Sequence, residues 1–317
     1  MPTHEKGPAV DGANPKGYNT VDRPLTRPLA VNSSARETLQ DSSLQSGMDR
    51  RSLLWSSSRL FVSQLGMPLL PDWGIRPNGE CRCPGKKLPW DRVRPGDPND
   101  AECRSKPGKH PCTPLLNGRG LYPSAETDLR VVAEWIARGC NIAAIPFGHI
   151  VIDIDDGGLR SFVIWCEQAG LDPKSMLYGT LAVRSGSGGL HLYYALPERD
   201  TPPPAPMDAW LPGVDFKSTG RKHAGAKRSS KATLPGSLHP SLNRYEFWTF
   251  KDPLLVPSVL LDELRAGRAY ELSSERAARI LRPGEPRHNV PSVGFGSSLD
   301  PAYEAFIAAH PPIGVAR

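Results

Sequence analysis

Hydrophobic side chains recur at helical spacing in four segments of the chain. The clearest is residues 125–139, where apolar residues fall at i, i+3, i+4 and i+7, Thr127 can cap the start and a glycine can end the helix. Further helices are predicted over residues 52–65, 159–169 and 258–266, and a glycine directly follows the first two of these.

Patterns typical of strands lie between and after these helices. Residues 142–155 predict extended structure, residues 181–184 and 190–196 predict two strands around a glycine-rich turn, and residues 245–250 predict another strand. Residues 201–212 are rich in proline and predict a connector. The order strand, helix, strand, strand is half of a ferredoxin-like split βαβ unit, so we expect an α+β fold with helices on one face of a sheet.

Composition changes this picture mainly at the two ends of the chain. Of 317 residues, 30 are glycine and 34 are proline, well above the usual combined share of about 12%. Residues 1–48 are poor in aromatic residues and lack periodicity, which predicts a disordered N-terminal arm. We expect the main domain in residues 49–255, and C-terminal helices with a flexible tail in residues 256–317.

The sequence shows neither a membrane segment nor a secretion signal. No stretch approaches the run of about 18 apolar residues that a membrane span requires, and the first residues lack a basic region followed by an apolar one. We therefore expect a cytoplasmic protein with no membrane partner. In that compartment, six cysteines are more typical of thiols or metal ligands than of disulfides.

Residues 149–156 contain the strongest candidates for catalytic side chains in the sequence. In a strand, Asp153 and Asp155 point to one face while the isoleucines between them point to the other, and the Cα atoms of the two acids are about 6.6 Å apart. This spacing lets both carboxylates reach a pair of divalent cations about 3.5–4 Å apart, as in two-metal phosphoryl transfer. The alternative is a strand end whose acids face water before a Gly-Gly turn.

A turn and a histidine form the second candidate feature. The segment Ser185-Gly-Ser-Gly-Gly189 lies just before a strand that contains His191. Glycines let backbone N–H groups approach an anion closely, and the hydroxyls and the histidine add donors, so a phosphate chain fits this chemistry. The alternatives are an ordinary hairpin turn and a structural histidine.

A third acid and a basic segment follow. Asp215 lies in an extended context, and residues 217–231 then hold six basic residues and no acidic one, an excess equal to the formal charge of +6 for the whole chain. Such a segment suits binding of nucleotide or nucleic-acid phosphates. The alternative is a solvated loop.

Residues 76–120 are dominated by Pro, Gly, Cys and charged residues and are expected to be too polar for a core. They contain five potential zinc ligands, and a tetrahedral site takes four: Cys81, Cys83, Cys103, His110 and Cys112. Binding of zinc would order such a segment, while scattered free thiols are the alternative. Cys140 and Cys166 lie in apolar helix and strand patterns and are predicted to be core thiols.

In their order and spacing, these motifs over about residues 50–255 resemble the archaeo-eukaryotic primase superfamily, specifically the prim-pol domain of bifunctional DNA primase/polymerases. The apolar strand ending in Asp153-x-Asp155, the Ser/Gly turn before His191, and Val214-Asp215 are similar to the three family motifs. Pro107-Gly-Lys-His-Pro111 upstream, and 234–239 with 245–248 downstream, are similar to flanking family segments. The longer basic loop and Leu234-Pro235, where the family usually has two prolines, depart from the pattern.

The resemblance implies a fold and a set of site residues. The fold would be a primase/polymerase catalytic core with an RRM-like sheet, a smaller α/β subdomain and a zinc-bound loop in residues 76–120. Asp153, Asp155 and Asp215 would be catalytic and would bind two Mg²⁺ or Mn²⁺ ions. The implied nucleotide-binding residues are Ser185, Ser187, Gly188, Gly189, His191, Lys217, Ser237 and His239. The implied zinc ligands are Cys81, Cys83, Cys103 and His110, with Cys112 as the substitute.

The resemblance also implies an activity and partners. The protein would be a template-dependent nucleotidyltransferase that makes or extends primers on single-stranded DNA from NTPs or dNTPs, in replication of a plasmid, phage or mobile element. No Walker A motif appears, so we expect any unwinding to come from a separate replicative helicase. A non-catalytic DNA-binding replication protein and a metal-dependent nuclease on the same carboxylates are the alternatives.

Overall fold

The computed structural model describes residues 47–83, 107–116, 122–155, 157–198, 201–220 and 230–267. The N-terminal arm up to residue 46, residues 84–106, most of the basic segment and everything after residue 267 lie outside the described residues, so the expectations for them stay predictions. The described elements, in chain order, are α1 (Arg50–Ser63), β1 (Leu69–Asp72), α2 (Leu129–Ala137), β2 (Asn141–Ala144), β3 (His149–Ile154), α3 (Gly158–Gln168), α4 (Pro173–Tyr178), β4 (Leu181–Arg184), β5 (Leu190–Ala195), β6 (Met207–Leu211), β7 (Val214–Lys217), β8 (Ala232–Thr233), β9 (Glu246–Thr249), β10 (Leu254–Leu255) and α5 (Ser258–Ala266).

The larger sheet has the strand order β6-β7-β3-β5-β4-β9, with every neighbouring pair antiparallel, and β10 adds a short parallel pairing to β5. Strands β3 and β4 run parallel to each other with β5 between them, and α3 and α4 connect them, which is a split βαβ arrangement. The predicted α+β class is therefore confirmed, while the likeness to an RRM and the division into subdomains stay predictions.

Both faces of the larger sheet are buried over much of their area. The alternation along β3 sends Ile150, Ile152 and Ile154 into a core with α3, α4 and α5, where every one of these isoleucines is at most 2% exposed. Val151 and other residues on the opposite face join a second core with α1 and α2. The expectation of helices on one face only was wrong, because the apolar face of α1 needs a partner and finds it on the second face of the sheet.

The smaller sheet consists of β1, β2 and β8, all antiparallel. Strand β2 belongs to this sheet and β3 to the larger one, and the chain crosses between them through a turn in which Gly148 has φ +71°. The sequence predicted a single extended segment over residues 142–155, because periodicity does not reveal a change of sheet. Residues 201–212, predicted to be a connector, contain β6.

Helix boundaries follow local capping chemistry. The side chain of Asp128, and not Thr127 as predicted, accepts a hydrogen bond at the start of α2, from the backbone N–H of Arg130 at 2.9 Å. Helix α4 was missed in the sequence, although Asp172 caps it and Pro173 occupies its first turn. Helix α5 has the predicted bounds. Among the described helices, none combines the length and the apolar character needed to cross a bilayer.

Candidate active site

The predicted catalytic residues lie on three adjacent strands of the larger sheet. Asp153 on β3 is directly opposite Asp215 on β7 and, on its other side, directly opposite His191 on β5. Side chains at directly opposite positions share a face, with Cβ atoms about 4.5–5.5 Å apart. Asp215, Asp153 and His191 therefore form a row across one face of the sheet.

Asp155 extends this row at the end of β3. It lies two residues after Asp153 and one residue beyond the strand, where its backbone N–H donates to the carbonyl of Gly213 in the β6–β7 turn at 2.9 Å. This bond fixes Asp155 beside the strand that carries Asp215. Asp155 is exposed, whereas the side chain of Asp153 is only 15% exposed, so the row runs from the interior to an open rim.

Both carboxylate oxygens of Asp153 have partners in the protein. One oxygen is 3.1 Å from Nε2 of His191, and the other accepts a hydrogen bond from Nζ of Lys217. Burial by itself would raise the pKa of Asp153, but the charges and hydrogen bonds of His191 and Lys217 hold that pKa well below its ordinary value. Asp153 is therefore ionised at neutral pH.

The pKa of Asp155 moves in the opposite direction. Loss of hydration raises it most, and the negative charges of Asp153 and Asp215 raise it further, while Lys217 and Lys109 oppose the change. Like charges at directly opposite sheet positions, as in the Asp153–Asp215 pair, also destabilise a sheet. Since hard carboxylate oxygens suit Mg²⁺ and Mn²⁺ and a cation would relieve this repulsion, the donor set fits divalent metal ions.

The orientation of Asp215 depends on an irregularity in β6. One of its carboxylate oxygens accepts a hydrogen bond from the backbone N–H of Ala209 at 2.6 Å, and Ala209 has φ +54° in the left-handed region. The register between β6 and β7 shifts at this point. A shared cation would require side-chain rotation, because the three carboxylates are not among the described groups whose ligating atoms all lie within 4.8 Å of one another.

Some of the polar groups of the Ser/Gly turn that were predicted to bind an anion form hydrogen bonds within the turn. The N–H of Ser185 donates to the carbonyl of Gly189 at 2.7 Å, and the N–H of Gly188 donates to the carbonyl of Ser185 at 3.0 Å. The hydroxyls of Ser185 and Ser187 are 3.0 Å apart. The amide of Gly188 is therefore engaged within the turn, and of the two serines Ser185 is buried while Ser187 is exposed.

Close packing fixes this turn against the end of β3. A Cβ on Gly189 would overlap the carbonyl oxygen of Ile154, so only glycine allows this approach. On its other side, the carbonyl of Gly186 accepts hydrogen bonds from the side chains of Ser241 at 2.9 Å and Asn243 at 3.1 Å. The turn is thus held next to Asp155 from two directions.

Tyr245 lies between the two predicted histidines. Its ring centroid is 5.8 Å from that of His191 and 6.4 Å from that of His239, and it is 1% exposed. Nδ1 of His191 is buried and has no hydrogen-bond partner among the described residues. Nε2 of His191 donates to the ionised Asp153, so Nδ1 of the neutral ring is an acceptor. An unpaired buried acceptor costs about 1–3 kcal/mol, so a water or a ligand hydroxyl that donates to Nδ1 would be favourable.

His239 is held as a neutral hydrogen-bond donor. Its Nδ1 accepts from the backbone N–H of Ser241 at 3.2 Å, which assigns the proton of the neutral ring to Nε2. Burial, followed by the positive charge of Lys109, lowers the pKa of His239 to about 4. At neutral pH the ring can therefore donate from Nε2 without adding charge.

The structure does not place Ser237 in this pocket, which corrects the expectation for that residue. Ser237 is completely buried, and its hydroxyl accepts from the N–H of Ile142 at 3.1 Å and lies 3.2 Å from the carbonyl of the same residue. It joins the segment after β8 to β2, so its contribution is to the fold and not to ligand contact.

Three of the predicted zinc ligands are close together. The potential ligand atoms of Cys81, Cys83 and His110 all lie within 4.8 Å of one another, and Sγ of Cys81 is 3.2 Å from Nε2 of His110. We call these three residues the Cys/His cluster. Thiolate and imidazole ligands in such proximity fit zinc.

The other cysteines have different surroundings. Cys103 lies outside the described residues. Cys112 is 3% exposed, packs in the core of α1 and α2, and interacts with Cys140, so the expectation that it could substitute in the metal site is not met. This also corrects the view that residues 76–120 cannot contribute to a core. Cys140 and Cys166 are buried core thiols, as predicted.

Sequence reasoning missed Lys109. Its ammonium lies 5.9 Å from the centroid of the Tyr245 ring, and its charge affects the pKa values of both Asp155 and His239. The signal was present in the segment Pro107-Gly-Lys-His-Pro111, which contributed to the resemblance, but no role followed from its position in the sequence alone.

A sequence profile of the Prim-Pol family, bifunctional DNA primase/polymerase, N-terminal, matches residues 61–259. This range is more than half of the chain, which therefore belongs to that family, and the resemblance found from the motifs is confirmed. The domain is a DNA primase/polymerase domain of the nucleotidyltransferase type, with DNA and nucleotides as its substrates. No curated protein gave a match.

Proposed function

We propose that this protein extends or synthesises primers on single-stranded DNA by transferring nucleotides at the row of Asp215, Asp153 and His191. The observation that carries the proposal is the strand register, which brings residues 38 and 62 positions from Asp153 directly opposite it. A family profile over the same strands supports a polymerase use of that row.

The proposed reaction joins a primer to a nucleotide. The 3′-hydroxyl oxygen of the primer forms a bond to the α-phosphorus of the bound nucleoside triphosphate, the bond from that phosphorus to the β-phosphate oxygen breaks, and pyrophosphate leaves. Two divalent cations, when bound, supply positive charge for the attacking and leaving oxygens. Asp153, Asp155 and Asp215 would hold them.

The remaining side chains have proposed roles in binding the phosphate chain. His191 would donate from Nδ1 to a phosphate oxygen when its ring is doubly protonated, and the hydroxyls of Ser185 and Ser187 would add contacts from the adjacent turn. Lys217 pairs with Asp153 in this arrangement. When a metal ion binds Asp153 in place of the ammonium, Lys217 would turn and pair with a phosphate. Neutral His239 can donate from Nε2 without competing for those cations.

Two features support binding of DNA and a structural zinc. The six basic residues of segment 217–231 provide the charge that polyanion binding requires. The Cys/His cluster supplies three ligands for a structural zinc, with Cys103 as the proposed fourth.

The test is incorporation of nucleotides by the purified chain. We would supply a labelled primer on a single-stranded template, or the template alone, with NTPs or dNTPs and with Mg²⁺ or Mn²⁺. The expected result is lengthening of the primer by the wild type and none by Asp155→Asn, while binding to single-stranded DNA changes less than about twofold, because Asp155 contacts no base or backbone in the proposed mechanism.

Asp262→Asn is the matched control, since it removes one exposed carboxylate from α5, on the opposite face of the sheet. It should extend primers at the wild-type rate. Shortening of the labelled strand would indicate a nuclease, and DNA binding without incorporation would indicate a non-catalytic replication protein. Full activity of Asp155→Asn would refute the proposed mechanism.

A further inference from the structure

Lys109 brings a positive charge to the candidate site. Its Nζ lies 5.9 Å from the Tyr245 ring centroid, and Tyr245 contacts both His191 and His239. Within the described part of the chain, no carboxylate lies within 4.0 Å of this ammonium, although its charge reaches Asp155. A half-buried cation beside a row of carboxylates is therefore available to another anion.

The backbone around Lys109 is held at three successive carbonyls. The carbonyl of Gly108 accepts from Nδ2 of Asn141 at 3.0 Å, that of Lys109 accepts from Nζ of Lys231 at 2.8 Å, and that of His110 accepts from the N–H of Trp73 at 3.0 Å. These three hydrogen bonds fix the backbone position of Lys109.

The anchor at Lys231 is strong. The same ammonium that binds the carbonyl of Lys109 also pairs with Asp72, whose side chain is 1% exposed. A charge-assisted pair at a buried position holds its geometry more closely than a surface pair does. The last residue of the basic segment is thereby tied to the residue that faces the candidate site.

The Cys/His cluster begins at the next residue. His110 directly follows Lys109, is 8% exposed, and lies 3.2 Å from Sγ of Cys81. A metal bound by the cluster would fix the imidazole of His110, and through one peptide unit it would restrict the direction in which Lys109 leaves the backbone. The cluster and the carboxylate row are therefore linked through a single dipeptide.

We propose that Lys109 binds the phosphate chain of the incoming nucleotide, and that the Cys/His cluster acts as a positioning element for it. This inference rests on the proposed function. A triphosphate brings several negative charges to a site that already holds three carboxylates, so cationic side chains are needed in addition to metal ions. Lys109 provides a half-buried positive charge on a backbone that is fixed by three hydrogen bonds.

The experiment measures nucleotide binding without template, so that no chemistry occurs. The probe is a fluorescent dNTP in the presence of Mg²⁺, titrated with wild type, Lys109→Ala, Lys109→Arg and Lys174→Ala. Lys174 is a half-buried lysine of α4 on the opposite face of the sheet and serves as the control for loss of one positive charge.

We expect Lys109→Ala to weaken dNTP binding about tenfold, Lys109→Arg to recover part of it, and Lys174→Ala to match the wild type. Binding of the corresponding nucleoside, which lacks phosphates, should not distinguish the variants. Equal dNTP affinity of wild type and Lys109→Ala would overturn the role proposed for Lys109 and would leave the proposed function standing. Failure of the wild type to bind any dNTP would overturn the proposed function and the inference together.

The cluster is tested on the folded wild-type protein. A chelator removes bound zinc, the protein is returned to Mg²⁺ buffer, and zinc content, circular dichroism and dNTP affinity are measured before and after zinc is restored. Zinc removal should weaken dNTP binding by wild type several-fold and leave that of Lys109→Ala unchanged. Equal losses in both proteins would show that the cluster acts independently of Lys109 and would overturn its positioning role.

If removal of zinc unfolds the protein, Lys231→Ala provides the second measurement. It removes the other anchor on the carbonyl of Lys109 and leaves the cluster intact. Non-additive effects of Lys231→Ala and Lys109→Ala on dNTP affinity are expected, while additive effects would contradict positioning of Lys109 by its anchors.

Discussion

Asp153 and Asp155 lie two residues apart, and replacing each with asparagine is expected to affect the stability of the protein differently, with a loss at Asp153 and no loss at Asp155. Both variants should lose nucleotide incorporation. The difference arises because Asp153 has two cationic or donor partners, whereas Asp155 faces two other carboxylates.

The loss at Asp153 can be estimated from its burial. Its side chain is 15% exposed, and its partners His191 and Lys217 are 7% and 21% exposed. Removing one member of a buried pair costs about 3–5 kcal/mol. Because asparagine still accepts one hydrogen bond and Lys217 can turn toward water, we expect a free energy of unfolding lower by about 2–4 kcal/mol.

Asp155→Asn removes repulsion instead of attraction. Asp155 is exposed, so screening by water limits the gain, and we expect the free energy of unfolding to be unchanged or higher by less than about 1 kcal/mol. The two variants thus distinguish Asp153, whose carboxylate stabilises the folded protein, from Asp155, whose carboxylate lowers its stability slightly.

The assay is urea unfolding without divalent ions between pH 2 and pH 8. The folded pKa of Asp153 lies below its ordinary value of 3.8, so its stabilisation is present above that pH and is lost as the pH falls below it. The folded pKa of Asp155 is raised, so its repulsion appears as the pH rises above 3.8 and any gain in Asp155→Asn should fade toward acid pH. Equal destabilisation by both substitutions at pH 7 would refute this account.

Two further substitutions test how the site is supported. Asn141→Ala should lower the free energy of unfolding by about 2–4 kcal/mol in urea titration, because the amide bonds the carbonyl of Gly108 and both backbone groups of Leu238; a loss below about 0.5 kcal/mol would contradict it. Gly189→Ala should reduce incorporation at least about tenfold by moving the turn away from Ile154, while Gly47→Ala, where a Cβ meets nothing within 4 Å, should behave as wild type. Normal incorporation by Gly189→Ala would show that the turn is not needed next to Asp155.

The sequence was sufficient for the elements that form the centre of the larger sheet. Strong alternation in β3 and β5 predicted which residues share a face, and the register then brought Asp153, Asp215 and His191 together. What alternation could not predict was the crossing at Gly148, because consecutive strands look the same whether they join one sheet or two.

The surroundings of the site were harder to predict because they depend on contacts distant in sequence. Ser237 was expected to line the pocket, yet its hydroxyl bonds to Ile142, 95 residues away. Lys109 was given no role, since only the fold brings it near Tyr245, 136 positions later. Such side chains have no periodic signal that marks where they point.

The contact between Lys217 and Asp153 has a practical consequence for handling the protein. The ammonium of Lys217 already pairs with Asp153, so part of the negative charge of the row is compensated without a metal ion. Dialysis into buffer without divalent ions should therefore stop the proposed incorporation of nucleotides reversibly and leave the sheet folded, and incorporation should return when the magnesium salt is added.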